Sequence, residues 1–414
     1  MSAASPPPVA TPRPAAFAFV FVTVLLDMLA LGVVLPVLPR LIESFVSGDT
    51  PRAAHIFGIF GSAWALMQFL FSPVIGALSD RFGRRPVILL SNAGLAGNYL
   101  LMALAPSLGW LFVGRLLSGI TSASISTANA YIADVTPPAQ RAARFGMLGA
   151  AVGAGFVLGP GLGGLLGSLD LRLPFWVAAA FSTLNFGYGL LVLPESLPRD
   201  RRGPISLSNA NPLGSLRLLR ATPALRALST MTFLFNLAQY ALNSVFVLYA
   251  GYRYHWDAAQ VGFALMLAGG CSIIVQAVLL RRLTKHYSEQ QLLVAGMLCG
   301  IAGFVVFGIS SAGWGFMLAI LLNSLWGMTG PSTMGLITRA TPGDQHGRLQ
   351  GGLSSLSGIA GLAGPLLFTG VFGYFIAPGS PCNLPGAPFL LAALLVVLAM
   401  WVARSVLRTP GYTP

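Results

Sequence analysis

The strongest constraint on this chain is the recurrence of apolar runs long enough to cross a bilayer as helices, which takes about 20 residues each. Twelve such runs are expected, at roughly 17–38, 57–78, 86–105, 110–133, 142–166, 174–193, 227–250, 258–280, 291–309, 314–338, 349–374 and 388–407. A run buried in lipid must satisfy its backbone hydrogen bonds within itself, so each reads as a helix. Composition agrees: 55% of the 414 residues are hydrophobic and 8% are charged, where soluble domains carry about 25% charged residues. The fold class is an all-α membrane protein.

The stretch 194–226 divides the spans six and six and carries Glu195, Arg199, Asp200, Arg201, Arg202, Arg217, Arg220 and Arg226. The expected organisation is a disordered tail at 1–16, a first six-helix half at 17–193, a central loop at 194–226, a second half at 227–407 and a short tail at 408–414. Within the central loop, SLRLLRATPALRAL fits a short amphipathic helix on the membrane surface. The run after the first tail is too long for the apolar core of a signal peptide.

The net charge of +13 does not point to nucleic acid, because the positives are scattered over many short loops and form no single basic face. They give orientation instead. With twelve spans both termini lie on one side, and that side collects nineteen of the 24 Lys and Arg residues. The positive-inside rule makes it the cytoplasmic side. The two halves also repeat: Gly159-Pro160 in span 5 is matched by Gly364-Pro365 in span 11, 205 residues on. At a similar offset the loop between spans 2 and 3 falls near LRRLTKHYSE, which keeps basic residues but not the glycine or the Asp.

That 2–3 loop, GALSDRFGRRPV, crowds Asp80, Arg81, Arg84 and Arg85 into a very short turn. Gly83 lets the backbone turn sharply, and Gly76 is expected to let a neighbouring helix approach closely. The spacing Gly-x-x-x-Asp-Arg-x-Gly-Arg-Arg resembles the 2–3 loop of the major facilitator superfamily of secondary transporters. The wider run SDRFGRRPV, together with the residues after it, resembles the tetracycline-efflux branch of that superfamily's drug/proton antiporters. The resemblance implies two pseudo-repeated six-helix halves around a substrate cavity. It also implies that Asp134, at the end of span 4, pairs with the loop arginines. That would tie span 4 to Asp80 and Arg84 and hold the inner gate shut in the outward-open state.

Three spans carry the rest of the argument. In span 5, Gly155, Gly159 and Gly163 lie four apart on one face, a spacing that lets two backbones touch, and Pro160 bends the helix. The pattern Gly146, Gly155, Gly159, Pro160, Gly163, Gly164 resembles the signature of the family's proton-coupled exporters. In span 4, Arg115 lies five residues past Trp110, inside the apolar slab, where a cation costs at least about 2.5 kcal/mol and needs a partner. Arg115-x3-Gly119 resembles the family's helix-4 motif, implicated in proton transfer; a plain packing role with the guanidinium reaching outward is the alternative. In span 1, Asp27 alone among the eleven acids falls mid-span, a functional-site expectation by default. Its alternative is a structural hydrogen bond to a neighbouring helix.

Gln68, Asn236, Gln239 and Gln276 are the first expectations for the substrate cavity. Trp64, Tyr240 and Trp326 can stack on a flat ligand, with packing the stronger reading for each. No catalytic constellation, metal-ligand spacing or phosphate-binding loop occurs, so no cofactor, metal or enzyme activity is expected. The implied function is proton-driven export of a small, largely apolar organic compound by a monomer in a bacterial inner membrane. An uptake symporter and a non-transporting receptor or scaffold are the rivals. Tetracycline exporters carry acids or a His where this chain has Asn98, Ser272 and Gly300. The expectation is therefore weak metal–tetracycline export, because hard cations prefer charged oxygen ligands, and a less charged or cationic cargo.

Overall fold

The computed structural model of the protein describes residues 14–122, 124–203, 219, 222–339, 341–342 and 345–407. Nearly all of the two expected tails and the first part of the expected surface helix lie outside them. The second part of that helix belongs to span 7, because Thr222 accepts from Leu225 N and caps a helix that starts at Pro223.

Sixteen helices make up the described chain. The first half contains α1 (Pro14–Val34), α2 (Leu38–Phe45), α3 (Thr50–Phe82), α4 (Arg84–Leu104), α5 (Leu108–Thr121), α6 (Ser124–Val135), α7 (Arg141–Leu169) and α8 (Leu173–Val192). The second contains α9 (Pro223–Tyr254), α10 (Ala258–Ile274), α11 (Leu280–Leu283), α12 (Glu289–Ile309), α13 (Gly313–Leu325), α14 (Thr329–Arg339), α15 (His346–Ile376) and α16 (Ala387–Leu407). Among the described residues, ten helical stretches are long and apolar enough to cross a membrane. Spans 4 and 10 are the two assembled from pieces. Span 4 breaks after Thr121 and resumes at Ser124; span 10 breaks at a tight turn over Trp326–Met328. The two breaks fall at equivalent points of the two halves, and discontinuous helices are where transporters of this kind build their sites. Span 8 also widens into a π-helical turn at Val275–Leu279, a distortion frequent at functional sites.

Large apolar side chains cover the outside. Leu90, Leu191, Trp314 and Trp401 are all more than two-thirds exposed, a surface suited to lipid rather than water. Inside, α1 packs on α7 and α8 within the first half, and α9 packs on α15 and α16 within the second. Two main pairs join the halves, α3 with α15 and α7 with α10, and α9 also touches α3 and α2.

These joints are built on small residues. Gly58 of α3 abuts Thr369, and a β-carbon on Gly61 would lie 3.0 Å from Pro365 of α15. Gly164 of α7 abuts Ala258, and its β-carbon would lie 2.8 Å from Gly262 Cα of α10. Further along, Gly373 meets His55 and the Pro51 carbonyl, and Arg40 of α2 donates to the Trp256 carbonyl just before α10. All of these contacts lie midway or toward the face opposite the Asp80–Arg85 turn. At the basic face that carries the turn, β-carbons on Gly76, Gly146, Gly149 and Gly330 would meet nothing within 4 Å. The halves thus meet at the opposite face and stand apart at the basic one. This corrects two expectations. Gly76 receives no neighbouring helix in this conformation, and Gly146 takes no part in the helix contact.

Candidate functional site

A cavity of about 490 Å³ lies between the halves, within the range of small-molecule sites, which is about 300–1,000 Å³. From the first half it is lined by residues of α1, α2, α3, α5 and α7, including Trp64, Arg115 and Phe156. From the second half come Gln239, Tyr240, Asn243, Asn323 and Trp326.

Arg115 is positioned by its own helix. Gly119, one turn on, presses α5 onto α3, where a β-carbon would lie 2.6 Å from the Trp64 carbonyl. That contact sets the Arg115 guanidinium over the Trp64 ring, 5.2 Å from its centroid. A cation over an indole face is held by the ring quadrupole, but this is not a counter-charge. Among the described residues no ion pair joins Arg115 to an acid; the four present lie elsewhere.

Asp27 is not among the residues lining the cavity. It is buried, 5% exposed, on the side of α1 that faces α8. Asn185 Nδ2 donates to its Oδ1 at 2.9 Å and to the Thr23 carbonyl at 3.0 Å. Among the described residues Asp27 is the only Asp or Glu in the buried set. Buried Tyr99 of α4 lies within electrostatic range of both Asp27 and the cavity-lining Arg115.

Of the four polar residues expected in the cavity, Gln239 lines it. Gln68 bonds Ser122 across α3 and span 4 (3.2 Å), Asn236 bonds Ser357 across α9 and α15 (2.9 Å), and Gln276 bonds Ser272 one turn back in its own helix (2.9 Å). Gln68 and Asn236 therefore join helices, and Gln276 sits one contact away from the lining residue Ser272. Trp64, Tyr240 and Trp326, which packing alone would explain, do line the cavity. So do Asn243 and Asn323, which were not among the first expectations.

In span 5, Pro160 sits beside Gly32 of α1, and a β-carbon on Gly159 would lie 2.6 Å from Gly32 Cα; Gly155 abuts Met28 and Gly163 the Val33 carbonyl. Gly164 looks the other way, onto α10. The signature thus serves two contacts, one within its own half and one with the other half.

At the basic face, Gly83 has φ 106° and ψ 161°, a region open in practice only to glycine. Its missing side chain leaves room for Glu195, whose carboxylate accepts from Arg84 N at 2.9 Å and Arg85 N at 3.3 Å. A carboxylate at the start of α4 meets two otherwise unpaired N–H groups and the positive end of the helix dipole. Arg84 Nη1 pairs with Asp80 at 2.6 Å and its Nε with Asp134 at 3.1 Å. Arg85 donates to the Leu190 carbonyl, and Arg81 lies over the ring of Phe82. All of these partners belong to the first half or to the segment just after it, and they are in place while the opposite face is closed. Sequence reasoning missed Glu195. The second half has a counterpart: Arg339 pairs with Glu289 at 3.0 Å. Arg339 lies 205 residues after Asp134, and Glu289 lies 205 after Arg84, so the pair recurs with its signs exchanged.

Two six-span halves around a shared central cavity define a membrane transporter built from a structural repeat. The chain belongs to the Major Facilitator Superfamily, whose family model matches residues 20–365. It is 37% identical over 383 residues to the class C tetracycline resistance protein of Escherichia coli, covering 92% of this chain and 94% of that one. With the class D protein of Salmonella ordonez the identity is 35% over 365 residues, covering 87% and 90%. Among solved structures, the human organic anion transporter MFSD10 (TETRAN) matches with TM-score 0.69 at 28% identity, covering 95% of this chain and 99% of that one. An inward-facing bacterial homolog of the lysosomal transporter Spinster shares the fold, with TM-score 0.75 at 18% identity and coverage of 97% and 98%.

Proposed function

We propose that the protein is a proton-coupled antiporter that exports a small organic compound across a bacterial inner membrane by alternating access. Asp27 carries the reading. Among the described residues it is the one buried acid, it falls mid-span by sequence, and a titratable group kept there at such cost is a proton site by default. Tyr99 interacts electrostatically with both Asp27 and Arg115, so on this reading protonation of Asp27 alters the field felt near the cavity. The basic face is the cytoplasmic one, on the distribution of Lys and Arg, with both termini there. The halves are then closed toward the outside and apart toward the cytoplasm, a conformation suited to loading cargo for export. The Arg84–Asp80–Asp134 cluster braces the first half at that face. When the halves rock together, the open side of Gly76 receives the second half.

The protein works as a monomer, each copy holding a complete cavity. The named relatives make tetracyclines the first compounds to try, and the absence of those acids and that His, where this chain has Asn98, Ser272 and Gly300, predicts weak export of their metal chelates. The test is a cargo-dependent pH change in proteoliposomes over a panel of organic compounds. Export predicts proton movement opposite to the cargo. Co-directional movement would make the protein a symporter, and no counterflow with any compound would leave a receptor or scaffold.

A further inference from the structure

The central cavity carries one cation, Arg115, and no Asp or Glu among its described lining residues answers it. Four buried nitrogens of its lining, Arg115 Nε, Trp64 Nε1, Asn323 Nδ2 and Trp326 Nε1, have no hydrogen-bond partner among the described residues. No lining residue contributes a buried oxygen to the same unpaired set, and none of the described lining residues is Asp or Glu. The four donors come from both halves: Trp64 and Arg115 on α3 and α5, Asn323 and Trp326 on α13 and the turn after it. Among the described lining residues the guanidinium is the one fixed charge; the rest are aromatic, aliphatic, amide and hydroxyl groups. A buried unpaired donor carries its full desolvation cost, and a buried unpaired charge carries more. A ligand that brought a negative charge into the cavity would answer the Arg115 guanidinium. One that brought a positive charge would add like-charge repulsion at Arg115.

We propose that the cargo of this cavity is an aromatic anion, its acid group held by Arg115 and its ring system stacked among Trp64, Phe156, Tyr240 and Trp326. This rests on the transport reading only for the direction in which the anion moves. It reverses the cationic half of the expectation drawn from sequence, where the missing acids were considered and the unanswered donors were not visible. Charge-assisted bonds to a carboxylate are the strong kind and are bidentate where geometry allows, so charge rather than ring size decides affinity.

The test is a calorimetric titration of the purified full-length protein in detergent micelles with three ligands of one ring size: naphthoate, naphthamide and naphthylmethylammonium. Naphthoate is expected to bind at least about tenfold more tightly than the other two, from the usual strength of a charge-assisted bond. Arg115→Gln should bring naphthoate down to the level of the amide, and Arg115→Lys should keep part of the preference. Trp64→Phe removes one donor and keeps the cation; it should weaken naphthoate a few-fold and leave the order unchanged. If Arg115→Gln does not fold, the order in the native protein and in Trp64→Phe still decides. Equal or tighter binding of the ammonium ligand, no binding of any of the three, or an unchanged preference in folded Arg115→Gln would each overturn the proposal. Counterflow in proteoliposomes separates it from the transport reading. Charge-ordered binding without counterflow would sink transport and leave the anion site standing; counterflow of the ammonium ligand alone would do the reverse.

Discussion

Replacing Gly83 by Ala tests whether the turn at the basic face is built as the structure has it. At φ 106° and ψ 161° a residue with a β-carbon sits in a region that costs about 1–3 kcal/mol. The new methyl would also collide with the Glu195 carboxylate and lie 2.8 Å from Arg202 Nη2. Glu195 must then move and release the main-chain N–H groups of Arg84 and Arg85, for a further loss of about 1–2 kcal/mol at ordinary net values. The substitution should therefore cost about 2–5 kcal/mol in all. Equilibrium unfolding in mixed micelles measures it, and a cycle with Glu195→Ala separates the parts. Without the carboxylate only the backbone cost remains, so the two changes should couple by about 1–2 kcal/mol. A loss within about 0.5 kcal/mol for Gly83→Ala, the level of an ordinary surface change, would refute the reasoning. So would strict additivity with Glu195→Ala, which would mean that the acid does not occupy the space the glycine leaves.

Asp27→Asn should abolish uphill, gradient-driven export while cargo exchange without a gradient survives, and Asp27→Glu should keep part of the coupling; full uphill export by Asp27→Asn would move the proton site elsewhere. Gly163→Leu, which drives a side chain into the Val33 carbonyl, should prevent recovery of monodisperse protein, whereas Gly146→Leu, facing open space, should be recovered at native levels by size-exclusion chromatography. Arg40→Ala removes the bond to the Trp256 carbonyl and should raise the labelling rate of a cysteine placed at Leu35 by an impermeant thiol reagent, with Cys271, Cys299 and Cys382 changed to Ser; an unchanged rate would mean that this bond does not help close the opposite face. Reporters fused at the C-terminus and in the 194–226 loop should both read cytoplasmic, and a periplasmic reading at either would break the orientation.

The spans were legible because hydrophobic length is a one-dimensional property, and their ends moved by only a few residues at most helices. Span 2 was the main exception. Its helix runs from Thr50 to Phe82 because polar end turns continue past the apolar run. The breaks in spans 4 and 10 were not legible, since TSAS and WGM contain no proline to announce them. The repeat was legible at Gly159-Pro160 and Gly364-Pro365, where identity survives. It was hidden at Arg84–Asp134 and Glu289–Arg339, where the interaction survives and the residue types are exchanged. Asp27 stood out because depth alone singles out an acid. Which face of α1 it occupies was not readable, because span 1 is apolar all round. For the same reason Asn323 could not be told from Asn236: both are amides in apolar helices, and only the packing decides which meets a neighbouring helix and which meets the cavity.

Asp27 is set between α1 and α8, and the cavity lies elsewhere. On the proposed reading, a proton held on that acid and a cargo held against Trp64 and Arg115 occupy separate compartments and do not compete for one seat. Coupling of that kind tolerates change in the cargo, because a new compound has only to fit the cavity and need not touch the acid. It also permits slippage. If the protonated carrier can turn over with its cavity empty, the proposed arrangement gains breadth of cargo at the risk of a standing proton leak.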